Sequence, residues 1–117
     1  MGIESFEQLE VWQEAHKLVL EVYQSTREFP SEEKYGLQAQ MRRAVISVPA
    51  NIAEGFKRRS KADKKHFYNM AQASLEELRY YFILCRDLAY GIDYKLMREK
   101  ADHVARMLHG LIRAISE

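Results

Sequence analysis

Residues 67–88 read FYNMAQASLEELRYYFILCRDL. Within them Phe67, Ala71, Ser74, Leu78, Tyr81, Cys85 and Leu88 follow one another at alternating steps of four and three, the spacing that keeps one side of an α-helix against partner helices. Ser60-Lys61-Ala62-Asp63 has the form of a helix start, with a hydroxyl able to accept from an orphan amide and an acid in the first turn. Downstream, Gly91 suits the left-handed conformation that closes a helix, and Asp93 suits the cap of the next. That next helix carries Met97, Ala101, Val104, Leu108, Leu111 and Ile115, again at steps of four and three.

Upstream, a first helix is expected from about Phe6 to Thr26, with Trp12, Ala15, Val19, Val22 and Thr26 on its inner face and Leu18 and Tyr23 beside it. Phe29-Pro30 ends it, and Ser31, followed by Glu32 and Glu33, is the expected cap of the second helix. Pro30 and most of the glycines fall at such boundaries, and no stretch alternates with the period of a strand. Four helices of similar length on short connections each have a stripe to bury. The expected fold is therefore all-α, an antiparallel up-down four-helix bundle formed by one domain over residues 1–117.

The second helix carries more apolar surface than one seam requires. Leu37, Met41, Ala44, Val45, Val48, Ile52 and Phe56 form one face, and Ala39, Ile46, Ala50 and Ala53 form another. A helix apolar on two flanks is buried on two flanks, so the second face is expected to be an interface between copies of the chain. Arg43, Ser47, Asn51 and Glu54 lie on the remaining polar strip and are expected to form a structural network. Pro49 lacks the amide that would bond near Val45, which predicts a kink there.

The 117 residues hold 18 basic and 17 acidic side chains, 47% hydrophobic and 30% charged residues, a balance suited to a folded domain in water. No apolar run approaches the ~20 residues of a membrane span, so no membrane partner is expected. Met1-Gly2-Ile3-Glu4 lacks the pattern of a secretory leader, giving an expected cytoplasmic location. Cys85 is alone, which excludes an internal disulfide. The near-neutral total hides a polarity along the chain. Residues 1–33 hold two basic and eight acidic groups, whereas residues 34–65 hold nine and two. Lys57, Arg58, Arg59, Lys61, Lys64 and Lys65 gather at the turn between the second and third helices, followed by His66, Phe67 and Tyr68 as possible stacking partners. Such a cluster is a candidate for phosphate contact.

The chemistry of an enzyme is mostly missing. No Glu-x-x-His pair, phosphate loop or nucleophile elbow is present, and neither a metal nor a cofactor is expected. Arg98 to His103 and Arg59 to His66 match the Arg-to-His spacing of small helical ribonucleases of the HEPN type, which makes ribonuclease the third reading. The leading reading is a non-enzymatic oligomeric bundle that binds nucleic acid or serves as an adaptor, and the alternative is a scaffold that contacts only proteins.

At Phe6, Leu9, Trp12, Ala15, Phe29-Pro30, Tyr35-Gly36-Leu37, Gln40, Arg43-Ala44, Ser47 and Asn51-Ile52-Ala53-Glu54-Gly55, the chain resembles the 23S rRNA intervening-sequence protein family, also called the four-helix bundle protein family. Phe67, Ala71, Ser74-Leu75 and Glu77-Leu78 extend the match. The resemblance implies a bacterial cytoplasmic protein that forms a ring-shaped homopentamer and has no established enzyme activity. It also implies kinship with accessory proteins of diversity-generating retroelements, whose basic surface contacts RNA or DNA and a reverse transcriptase.

Overall fold

The structure, a computed structural model, describes residues 2–116. Four helices account for nearly all of it: α1 Glu10–Thr26, α2 Leu37–Lys57, α3 Lys61–Asp87 and α4 Tyr94–Ser116, with short 3-10 turns at Phe6–Gln8 and Ser31–Glu33. No strand occurs among the described residues. Each helix packs against its neighbours in sequence, and α4 closes back on α1 to complete a bundle 46 Å long and 23 by 21 Å across. Cross-links show the antiparallel order directly. On the α3–α4 side, Gln72 Nε2 donates to the Ala105 carbonyl (3.0 Å) and Arg79 Nε to Asp102 Oδ1 (2.8 Å), so the numbers rise on one helix as they fall on the other.

The core is made by Val11, Ala15, Leu18 and Val22 of α1, Met41, Val45, Val48 and Ile52 of α2, Tyr68, Leu75, Leu78, Phe82 and Cys85 of α3, and Met97, Ala101, Val104 and Leu108 of α4. For α2 and α4 most are the residues the periodicity indicates, except that Pro49 and Gly55 are buried where Phe56 is only half-buried, and Ala105 is buried where Leu111 and Ile115 are only half-buried. For α1 and α3 the seam is turned by part of a residue step. Val11 and Leu18 face inward in place of Trp12 and Val19, and Tyr68, Leu75 and Phe82 in place of Phe67, Ser74 and Tyr81, while Leu88 is exposed. Apolar or small residues stand on both sides of the line, so spacing alone leaves the rotation of the helix open.

Two boundaries also differ from expectation. Ser31 does not cap the second helix; residues 31–33 make a 3-10 turn, and α2 starts at Leu37 after Gly36. Glu33 supplies the cap, its Oε1 accepting from the Leu37 amide (3.0 Å) and its Oε2 from the Tyr90 hydroxyl (2.8 Å). Together these bonds hold the Glu33 carboxyl below the ordinary carboxylate range, the Leu37 bond contributing most. At the end of α3 the left-handed residue is Ala89 (φ 58°), not Gly91, while Asp93 does cap α4 through the Leu96 amide (3.1 Å). α2 stays one unbroken helix through Pro49, which is buried.

Candidate functional site

The connection from α2 to α3 is only Arg58, Arg59 and Ser60. Arg58 and Ser60 are extended, and Ser60 Oγ accepts from the Asp63 amide (3.0 Å), which launches α3 at once. The tight reversal is possible because Gly55 lets α3 approach α2: a Cβ there would meet Tyr68 ring carbons at 2.6 and 2.8 Å. The six cations of this corner are thereby gathered at one end of the bundle, but they divide into two groups. Lys64 Nζ donates to the carbonyls of Gly55 (3.3 Å) and Phe56 (2.8 Å), closing the negative end of α2. Arg58 pairs with Glu54 (2.9 Å) and covers the Phe67 ring (4.6 Å). Lys57, Arg59, Lys61 and Lys65 make no side-chain hydrogen bond or ion pair among the described residues; the first three are exposed and Lys65 is half-buried. Stacking by the adjacent aromatics is more limited than the sequence suggests. Tyr68 is in the core and Phe67 lies under Arg58, leaving His66 exposed against the Phe67 edge.

A second feature runs along the α1–α2 side. Ile46 is 44% exposed, Ala50 is exposed and Ala53 half-buried; with Trp12, Val19 and Pro49 they line an apolar groove of about 310 Å³. Trp12 and Val19 stand here because α1 presents Val11 and Leu18 to the core instead. Trp12 is held edge-on to Phe6 (5.0 Å between centroids) and stacked on His16 (5.2 Å). The single chain leaves this face uncovered. Ala39, two turns nearer the start of α2, is half-buried and outside the groove.

The expected polar network forms only in part. Ser47 Oγ donates to the Ala44 carbonyl (2.7 Å) and lies 2.5 Å from Ser74 Oγ, and Asn51 Nδ2 donates to the Ser47 carbonyl (2.8 Å). Glu54 turns instead to Arg58, and Arg43 is exposed and makes no side-chain hydrogen bond among the described residues. The arginine that ties helices together is its neighbour. Arg42 Nε donates to the buried Thr26 Oγ1 (3.0 Å), Nη2 to the Tyr23 carbonyl (3.3 Å), and the guanidinium lies over the Tyr23 ring (4.4 Å). Adjacent arginines point about 100° apart on a helix, and only packing determines which one meets α1.

The Arg-to-His pairs do not build one site. Arg98 turns toward Tyr94 and Asp102, and Asp102 is the α3-facing partner of Arg79; His103 turns toward Glu14 of α1 (4.0 Å). Arg98 and His103 thus serve opposite flanks of α4. Arg59 and His66 both lie exposed near the basic corner. No group of three His, Cys, Asp or Glu side chains suited to a metal occurs among the described residues. No helix among them is long and apolar enough to cross a membrane.

No protein of curated function matches the sequence. Among solved structures, the chain is similar to a crystal structure of a protein of unknown function from the S23 ribosomal protein family of Bacteroides thetaiotaomicron VPI-5482, with TM-score 0.80 and 19% identity over 88% of this chain and 95% of that one. At that identity the likeness is one of fold. The pattern of the 23S rRNA-intervening sequence proteins matches from residue 7 to residue 110, and the chain, a four-helix bundle with a basic corner and an uncovered apolar groove, belongs to that family.

Proposed function

We propose that this protein is a non-enzymatic, self-associating bundle that binds structured nucleic acid, with RNA favoured over DNA, and acts as an adaptor in the bacterial cytoplasm. The observation that carries this reading is the α2–α3 corner, where Lys57, Arg59, Lys61 and Lys65 are left without internal partners at one end of a rigid rod. Free cations on a short, well-capped turn engage phosphates without ordering a flexible loop first, and each contact releases counterions. The description of the family, which concerns a sequence intervening in 23S rRNA, supports a nucleic-acid setting. Self-association into the homopentamer that the family resemblance implies would bring several such corners together and multiply weak contacts into useful avidity.

The apolar groove beside Trp12 and Ile46 favours a second reading, a scaffold whose partners are proteins only, a reverse transcriptase among them. A salt-titrated binding assay with structured RNA and DNA separates the two. Affinity is expected to fall with salt and to drop on charge reversal at Arg59 and Lys61; binding insensitive to both would remove the nucleic-acid reading and leave the scaffold.

A further inference from the structure

The α3–α4 side holds a second concentration of positive charge, away from the apolar groove. An open groove there of about 550 Å³ is lined by Arg79 of α3 and by Asp102, Arg106, His109 and Arg113 of α4. Of the three arginines lining it, only Arg79 is paired with carboxylates, Asp102 and Glu76; Asp102 Oδ1 accepts from Arg79 Nε (2.8 Å) and from Arg98 Nε (3.3 Å). Arg79 is the anchored member, its side chain 17% exposed and its guanidinium held between Asp102 and Glu76 (2.7 Å). Arg106 and Arg113 are exposed and make no ion pair or hydrogen bond among the described residues. They lie seven residues apart, on one stripe of α4, flanking His109 and the side-chain-free Gly110.

The bond from Gln72 to Ala105 sets the register of this face. Lys65 lies seven residues before Gln72, and Arg79 seven after it, so all three share one stripe of α3. Arg113 lies eight residues beyond Ala105 on the opposing helix. Two turns in each direction bring Lys65 and Arg113 to the same height in the bundle, about 10–12 Å from the Gln72 cross-link. The Arg113 end of the groove is therefore level with Lys65, a residue of the basic corner. From Arg79 to Lys65 the stripe is about 21 Å long, equal to about six steps of a duplex at ~3.4 Å each.

We propose that the α3–α4 groove is a binding track for a nucleic-acid phosphate backbone, continuous with the α2–α3 corner, in which Arg106 and Arg113 contact phosphates while Arg79, held by Asp102 and Glu76, marks the far end. This rests on the nucleic-acid reading above and adds to it a site outside the corner. It contains no sequence-reading element, so it recognises shape and charge.

The test compares wild-type protein with an Arg106→Gln/Arg113→Gln variant and an Arg59→Gln/Lys61→Gln variant, each checked for unchanged helicity. Binding of an RNA hairpin is measured over a range of salt, with polyglutamate as competitor. The groove variant is expected to bind more weakly, with a slope of log affinity against log salt shallower by about 1.5 for two lost contacts. If only the corner variant loses slope, the track is wrong while the proposed function stands. Absence of salt-dependent RNA binding by the wild type overturns both. If polyglutamate displaces the RNA at equal charge, with the same sensitivity to Arg106 and Arg113, the groove serves an acidic protein segment and the phosphate assignment is wrong.

Discussion

Gly55 shows how one missing side chain positions a candidate site. A Cβ there would meet the Tyr68 ring, which is 2% exposed, and the Phe67 Cβ stands 3.2 Å from the same point. Gly55→Ala should gain about 1 kcal/mol of helix propensity and lose about 1–3 kcal/mol to overpacking. A net destabilisation of up to about 2 kcal/mol is expected from these two effects. The urea midpoint measures it, and an unchanged midpoint would show that the ring can yield. The same glycine explains why the Asn51-Ile52-Ala53-Glu54-Gly55 stretch is informative in the sequence: Ile52 fills the core, Asn51 bonds back to Ser47, Glu54 holds Arg58, and Gly55 admits α3.

At the scale of the element, the start of α2 depends on a titratable cap. Glu33 accepts from Leu37 and from Tyr90, and its carboxyl is held below the ordinary range because both bonds favour the ionised form. For a group whose folded value is depressed, the stabilisation is fully present above the unfolded value, about 4.3 for glutamate, and is lost as pH falls through the folded value. Glu33→Gln should therefore melt below the wild type at neutral pH, and the gap should close on acidification below about pH 4. A gap that persists in acid would assign the cap to hydrogen bonding alone. The helix start itself was not legible, because Ser31 and Glu32-Glu33 have the composition of a cap whether the turn that follows is α or 3-10. The cap works from Glu33 because its side chain also meets Tyr90 of the α3–α4 connection, a contact that no local pattern reveals.

At the scale of the whole molecule, the two faces of α2 divide the protein's work. One face holds the bundle together; the other, with Trp12 and Val19 of α1, forms a groove for which the chain provides no cover. The proposed self-association predicts that the wild type sediments at a multiple of the single-chain mass. Ile46→Glu should shift it to the single-chain mass with helicity retained, since Ile46 is 44% exposed in the isolated bundle and a charge there costs little until a partner buries it. Analytical ultracentrifugation measures this, and an oligomer that survives the substitution would place the interface elsewhere.

Periodicity, capping residues and prolines were enough to determine the number of helices, their order and the inward faces of α2 and α4, because a stripe every three or four residues is a local property of the chain. The basic corner and the doubly apolar α2 were legible for the same reason. Tertiary packing decided the rotation of α1 and α3, the choice of Arg42 over Arg43, and the division of the corner into free and occupied cations. It also created the α3–α4 groove, whose arginines come from two helices in a register set by Gln72 and Ala105. Each of these depends on which of two neighbouring side chains, about 100° apart on a helix, meets another helix, and that is a property of the assembled bundle.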